Sequence, residues 1–168
     1  QAIPAIGSMM FIGLGVFVLL YYVSMYGDYS AGGYGAAIRF EQLFLLPVLG
    51  LNASTLALVG QNFGASNFNR ILETYKKSIL YGTIFMATCG IFVFFSSDYI
   101  MYFFSDDTDI IFYGSTYLKI AAFAGPCYPI FFISSALLQG LKKPSYQMII
   151  NLMRMIILPI SALSIAVV

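Results

Sequence analysis

The segment RFEQLFLLPVLGLNASTLALVGQNFGA, residues 39–65, decides the fold. Its middle is apolar over about the 20 residues that a helix needs to cross a membrane. It nevertheless opens with Arg39 and Glu41 and carries Pro47 and Asn52 further along. Charges and amides are costly in lipid, so such residues face protein or a water-filled cavity when they occur in membrane helices. The segment therefore predicts a membrane helix with one polar side.

The composition indicates the same class of protein. The chain is 60% hydrophobic and 9% charged, with a mean hydropathy of +0.87, whereas about a quarter of the residues in soluble domains are charged. Its net charge of +1 and the lack of a basic run predict no nucleic-acid partner. It contains no histidine, zinc-ligand spacing or nucleophile–base pair, so neither an enzyme, a metal site nor a bound cofactor is expected. Cys89 and Cys127 lie in apolar stretches, where packed free thiols are expected.

Five apolar runs are long enough to span a membrane, so we predict an all-α, polytopic bundle of transmembrane helices. The chain begins without Met and ends inside an apolar run, and we expect it to be a fragment of a longer protein. The predicted spans are about 2–27, 33–61, 78–97, 110–139 and 145–168.

The connections between the spans differ in charge. Residues 27–33 and 96–109 contain acids and no base, whereas residues 64–78 and 139–147 contain all five of the loop bases. Because Lys and Arg in short loops stay cytoplasmic, we predict that Gln1 is cytoplasmic. The connections near Asp28 and at Asp98–Asp109 are then external.

The second span and its following loop resemble the multidrug and toxic compound extrusion family, known as MATE. The family pattern is a Gly/Ala-rich entry, Arg-x-Glu, a proline, Gly-Leu, and Val-Gly-Gln-x-x-Gly-Ala before a basic loop. The start of the first span and the turn LLQGLKKP, residues 137–144, look similar to the same family. The matching residues are Gly35-Ala36-Ala37, Arg39, Glu41, Pro47, Gly50-Leu51, Val59-Gly60-Gln61 and Gly64-Ala65.

The resemblance implies five helices, seven to eleven, of the carboxy-terminal six-helix lobe of a two-lobe transporter. It implies a cation-coupled antiporter, driven by H⁺ or Na⁺, that exports organic and often cationic drugs or toxic compounds by alternating access. The expected setting is an inner or plasma membrane, and the expected partners are membrane lipid, a small organic substrate and the amino-terminal lobe. Some MATE subgroups carry an acid in the first or fourth of these spans. Here the first has none and the fourth has Lys119, so we expect the main coupling-ion site in the amino-terminal lobe. Two alternatives are a flippase for a lipid-linked oligosaccharide and a membrane subunit that transports nothing.

Four charges lie inside predicted spans: Arg39, Glu41, Lys119 and Arg154. Each should face the bundle and find a partner, because a lone charge in the bilayer centre costs at least roughly 2.5–3.5 kcal/mol. Glu41 and Lys119 lie at similar depth, so we predict that they pair. Two interpretations stay open: these charges hold the helices together, or they act in coupling or substrate passage.

Helical phase adds two polar residues and two candidate hinges. Asn52 and Thr55 lie close to the face of Glu41, since eleven residues advance nearly three full turns. These three residues should form a polar stripe that faces the inside of the lobe. Pro47 should kink the second span. The group Gly125, Pro126 and Pro129 should bend the fourth span more strongly and is a candidate hinge.

Overall fold

The computed structural model describes residues 2–154, except for the side chains of residues 2–6, 8, 9, 11 and 12. The described chain is helical and contains no strand, which confirms the all-α fold class. The fifth predicted span is described only at its beginning, because its residues 155–168 lie outside this range. The helices are α1 (Ala2–Ser24), α2 (Asp28–Gly64), α3 (Phe68–Tyr102), α4 (Thr108–Ala124), α5 (Cys127–Gly140) and α6 (Pro144–Leu152).

The helices run up and down between two ends of the bundle. Gly33 near the start of α2 packs against Gly114 of α4, and Gly140 at the end of α5 packs against Val59 of α2. The α1–α2 and α3–α4 connections therefore meet at one end, which we call the acidic end. The α2–α3 and α5–α6 connections meet at the other, which we call the basic end. The side of the membrane that each end faces stays a prediction.

Helix α3 is longer than predicted. Hydropathy placed residues 64–78 and 96–109 in connections, yet α3 runs for 35 residues from Phe68 to Tyr102. At 1.5 Å per residue it is about 52 Å long, which exceeds the roughly 30 Å of the hydrocarbon core. Hydropathy detects the lipid-facing middle of such a helix and misses its polar ends. The consequence is that Asp98 lies on a helix rather than in a loop.

Side-chain caps account for the starts of α3 and α4. The Asn67 side chain accepts a hydrogen bond from Arg70 N at 3.3 Å at the start of α3. Asp107 caps α4 in the same way, because its side chain accepts from Asp109 N at 2.9 Å. Such caps satisfy backbone donors that a helix leaves free in its first turn.

The fourth predicted span is broken into α4 and α5, which meet at an angle of 58°. Pro126 has no N–H, so it cannot complete the helical bond to the carbonyl of Ala122. Pro129 lies in the first turn of α5, where a missing N–H costs nothing. The bend thus lies at Gly125-Pro126, where the sequence predicts one. At Pro47, by contrast, α2 continues without a break.

Helix α2 packs against α3, α4 and α5, while α1 contacts α6 and, less extensively, α2. Residues of α2, α3 and α4 form the core: Ala37, Val93, Met101, Ile111, Leu118 and Ala122. In the described part, α2 and α3 are each long and apolar enough to cross a membrane, and the bent pair α4–α5 counts as a third span if taken together. Large apolar side chains cover the outside, with Phe103 92% and Phe123 88% exposed. Such a surface suits lipid.

Candidate functional site

Two tyrosines hold the Glu41 carboxylate inside the bundle. Tyr117 Oη donates to Glu41 Oε2 at 2.6 Å, and Tyr128 Oη donates to Oε1 at 2.5 Å. The side chain of Tyr34 packs edge-on against the ring of Tyr117, with 5.1 Å between centroids. Glu41 is only 8% exposed. Each carboxylate oxygen therefore has a hydroxyl donor, and no ion pair reaches Glu41 within residues 2–154.

Three helices meet at this carboxylate. Glu41 follows Tyr34 by seven residues on α2, so both lie on the face that packs against α4. Tyr117 belongs to the last turns of α4, whereas Tyr128 belongs to the first turn of α5. The two donors thus stand on opposite sides of the Gly125-Pro126 bend. Through them, Glu41 connects the two halves of the broken span.

The predicted pairing of Glu41 with Lys119 is wrong. Lys119 Nζ instead forms an ion pair with Asp98 of α3, 3.1 Å from Oδ2. Tyr117 and Lys119 are two positions apart, which is about 200° around a helix, so they point to opposite sides of α4. Tyr117, two residues from Lys119, does reach Glu41, so the direction of the side chain decides the partner. Both members of the Lys119–Asp98 pair are more than a third exposed.

The two arginines lie in different surroundings. Arg39 is exposed, because it is two positions from the buried Glu41 and points away from the bundle. The expectation that it faces the bundle is therefore wrong. No ion pair reaches it within residues 2–154. Arg154 is half-buried, and its Cζ lies 3.9 Å above the centre of the Phe131 ring. Its Nη1 is buried without a hydrogen-bond partner among the described residues.

The predicted polar stripe divides into separate contacts. Thr55 is fully buried and hydrogen-bonds to Ser78 of α3, with 2.9 Å between the hydroxyl oxygens. Thr55 and Glu41 share a face, but fourteen residues separate them by about 21 Å along the axis. Asn52 lies between them with its Oδ1 buried and without a partner in the described part of the chain. The structure therefore does not bring these three residues together as one site.

The remaining predicted residues lie at helix ends and turns. Gly60, Gln61 and Gly64 form the last turns of α2, and Ala65 ends it by donating its N–H to the carbonyl of Gln61 at 3.1 Å. This motif packs against the end of α5, where a Cβ on Gly140 would lie 2.6 Å from Val59 Cγ1. Its place in the structure indicates close packing at the basic end.

Sequence reasoning missed Tyr117, Tyr128 and Asp98. It looked for partners of the intramembrane charges only among residues of opposite charge. Tyr117 and Tyr128 lie well inside the predicted span 110–139, where a phenol hydroxyl needs a partner because lipid offers none. That position was the signal which could have identified them.

The MatE family model matches residues 4–163. The chain belongs to this family, and it is a membrane protein with the fold of a MATE lobe. Among curated relatives, it is 25% identical over 150 residues to a probable multidrug resistance protein, YpnP, of Bacillus subtilis, with 89% of this chain and 34% of the relative covered. It is 28% identical to the multidrug export protein MepA of Staphylococcus haemolyticus, with 82% of this chain and 30% of the relative covered. An FAD transporter of Shewanella oneidensis is 27% identical, with 81% and 31% covered.

Solved structures show the same fold. A MOP superfamily transporter from Pyrococcus furiosus superimposes with a TM-score of 0.86 at 18% identity, over 91% of this chain and 35% of that one. A multidrug resistance MATE family transporter in an outward-facing conformation gives the same values. The chain thus spans about a third of the length of the proteins it matches.

Proposed function

We propose that this chain forms five of the six helices of the carboxy-terminal lobe of a MATE-type secondary transporter, which exports organic compounds in exchange for H⁺ or Na⁺. The whole protein would be a transporter and not an enzyme, placed in an inner or plasma membrane. Membership of the MatE family and the likeness to proteins named for multidrug export support this function. The principal ion site would lie in the amino-terminal lobe, which this sequence does not contain. The partners would be membrane lipid, a small organic substrate and that lobe.

The bridge from Glu41 to both sides of the α4–α5 bend carries the mechanistic part of the proposal. An ionised carboxylate accepts both tyrosine hydroxyls in charge-assisted hydrogen bonds, which are roughly twice as strong as neutral ones. A proton on Glu41 would make one oxygen a donor and weaken both bonds. The halves of the broken span would then be held less firmly.

The groups that surround Glu41 include no ion-pair partner among residues 2–154. The titratable groups that face it are Tyr34, Tyr117 and Tyr128, and Arg154 lies beyond Tyr128 on the same side of α5. In this proposal, the lobe changes shape as the transporter alternates between inward-open and outward-open states. The alternative role for Glu41 is structural, as the connector of α2, α4 and α5.

Transport by the full-length protein in lipid vesicles tests the proposal. A fluorescent cationic dye should move against an imposed pH or sodium gradient, and the lumenal pH should change with it if protons are exchanged. Dye that moves under neither gradient would refute the export function. Movement of a headgroup-labelled lipid with no dye transport would favour the flippase alternative.

The Glu41→Gln variant separates the two roles of the carboxylate. Loss of gradient-driven transport with near-normal folding supports a part in coupling. Unchanged transport together with lowered stability supports the structural role. Tyr75→Phe is the matched control, because Tyr75 Oη also bonds across two helices, to Ser134 Oγ at 3.0 Å, but involves no carboxylate. This variant should transport normally.

A further inference from the structure

The described bundle contains one half-buried cation, Arg154, that forms no ion pair within residues 2–154. The Arg154 guanidinium stacks on Phe131 at 3.9 Å, and its Nη1 is shielded from solvent with no acceptor among residues 2–154. A buried charge is unfavourable unless it is paired and hydrogen-bonded. Stacking on an aromatic face offsets part of this cost but leaves the N–H groups without acceptors.

All seven acidic residues lie within residues 2–154, and none of them forms an ion pair with Arg154. Glu73 is bound to Lys77 at 2.7 Å, Asp98 to Lys119 at 3.1 Å, and Glu41 to its two tyrosines. The other four lie at or near the acidic end: Asp28, Asp106, Asp107 and Asp109. Arg154 is ten residues beyond the start of α6, about 15 Å from the basic end. A carboxylate or phosphate that binds Arg154 directly would therefore come from outside this chain.

A second orphaned group lies beside it. Asn151, 1% exposed and three residues before Arg154, has its Oδ1 buried without a partner among the described residues. Residues three apart lie on the same side of a helix. The amide oxygen and nitrogen can exchange places by rotation, so Asn151 can present N–H donors to an anion beside Arg154. Two polar groups without described partners thus lie three residues apart, on the same side of the chain at the end of α6.

We propose that Arg154, assisted by Asn151, binds an anionic group, a carboxylate or a phosphate, of the compound that the lobe carries. The planar guanidinium offers paired N–H donors that match both groups. Because Phe131 and Tyr128 are three residues apart on α5, the anion would lie about one helical turn from the Glu41 bridge. This inference deepens the proposed function, on which it rests for the identity of the ligand as a transported compound. It assigns substrates that carry a negative group.

Binding of two probes that differ only in charge tests this site. Dansylglycine carries a carboxylate, and dansylglycinamide replaces it with a neutral amide. Both are titrated into the full-length protein in phosphatidylcholine nanodiscs at about pH 7, without any ion gradient, and dansyl fluorescence is followed. The acid should bind about tenfold more tightly than the amide, because hydrogen bonds to charged groups are the stronger ones.

Variants then locate the preference. Arg154→Gln should bind the two probes equally, and Arg154→Lys should retain a preference below that of the parent, since it keeps the charge without the planar donors. Arg70→Gln is the control, because Arg70 is an exposed arginine near the basic end, and it should keep the full tenfold preference. If Arg154→Gln does not fold, the reduced preference of Arg154→Lys decides the question.

The inference is overturned if the parent binds both probes equally or binds neither, or if Arg154→Gln keeps the tenfold preference. Equal binding of the two probes by the parent protein is expected if an acidic residue of the other lobe already neutralises Arg154. Replacing a third of the lipid with phosphatidylglycerol identifies the source of the anion. Loss of the acid preference there assigns the site to a lipid headgroup, and its retention assigns it to a soluble organic anion. Because no gradient is used, probe binding without transport would refute only the export function.

Discussion

The bond between Tyr128 and Glu41 should be worth more than an ordinary hydrogen bond in a membrane protein. Side-chain hydrogen bonds between membrane helices average about 0.6 kcal/mol and reach about 1.7, whereas bonds to charged groups in proteins contribute about 1.5–3 kcal/mol. Tyr128→Phe removes one of the two tyrosine donors to a carboxylate that is 8% exposed. We therefore expect the free energy of unfolding to fall by about 1.5 kcal/mol.

A double-mutant cycle isolates the charge-assisted part of this bond. In the Glu41→Gln background the acceptor is neutral, so the same Tyr128→Phe change should cost only about 0.6 kcal/mol. The coupling energy is then about 1 kcal/mol, which exceeds the additivity error of about 0.3–0.5 kcal/mol. Tyr117→Phe should behave in the same way, because its bond to the other carboxylate oxygen is of similar length.

Dodecyl sulfate titration of the purified protein in mixed micelles measures these free energies, with helix loss followed by circular dichroism. Tyr75→Phe again serves as control, since its bond to Ser134 is neutral and distant from Glu41. It should cost the same in both backgrounds. If Tyr128→Phe also costs the same in the Glu41→Gln background as in the parent, Glu41 is neutral in the folded protein and the proposed charge-assisted bridge is refuted.

Three further predictions concern packing, the exposed ion pair and orientation. Gly33→Ala should lower the free energy of unfolding by about 1–3 kcal/mol, because its Cβ would lie 2.7 Å from the Ile110 carbonyl oxygen. Gly13→Ala is the control and should be tolerated, because its Cβ would have no atom within 4 Å. Equal effects of the two substitutions would contradict this packing. Lys119→Met and Asp98→Asn should each lower the free energy of unfolding by less than about 1 kcal/mol, because the ion pair is partly exposed and screened. A larger decrease in the dodecyl sulfate titration would mean that the pair is shielded in the full protein. In a variant with Cys89 and Cys127 replaced by Ala, an impermeant thiol reagent applied outside cells should label Cys at position 106 and not at position 142, and the reverse pattern would invert the predicted topology.

The sequence predicts the fold class well because hydropathy and loop charge depend on the solvent around each segment. Lipid selects the apolar middles of the helices whatever the tertiary structure. The ends of α3 could not be found in this way, because hydropathy changes where the helix leaves the hydrocarbon core and not where the helix itself ends. The bend at Gly125-Pro126 was predictable because a missing N–H is a property of the residue itself.

The partners of the buried charges were not predictable from charge and depth alone. Lys119 and Tyr117 lie at nearly the same depth, and only the rotation of α4 about its axis decides which of them meets Glu41. That rotation is fixed by packing, through the buried face that contains Gly114 and Leu118. The prediction also considered only opposite charges as partners of Glu41. A tyrosine hydroxyl can satisfy a buried carboxylate although it carries no net charge.

The break between α4 and α5 has a mechanical consequence. The Ala122 carbonyl has no helical bond to lose when the angle changes, because Pro126 offers no donor. Opposite it, α3 presents Gly90, where an added Cβ would lie 2.7 Å from that carbonyl oxygen, and Gly82, where it would lie 2.9 Å from Pro129 Cβ. These two glycines let the bent span pack closely against α3. A side chain at either position would push the two apart without touching Glu41 or Arg154.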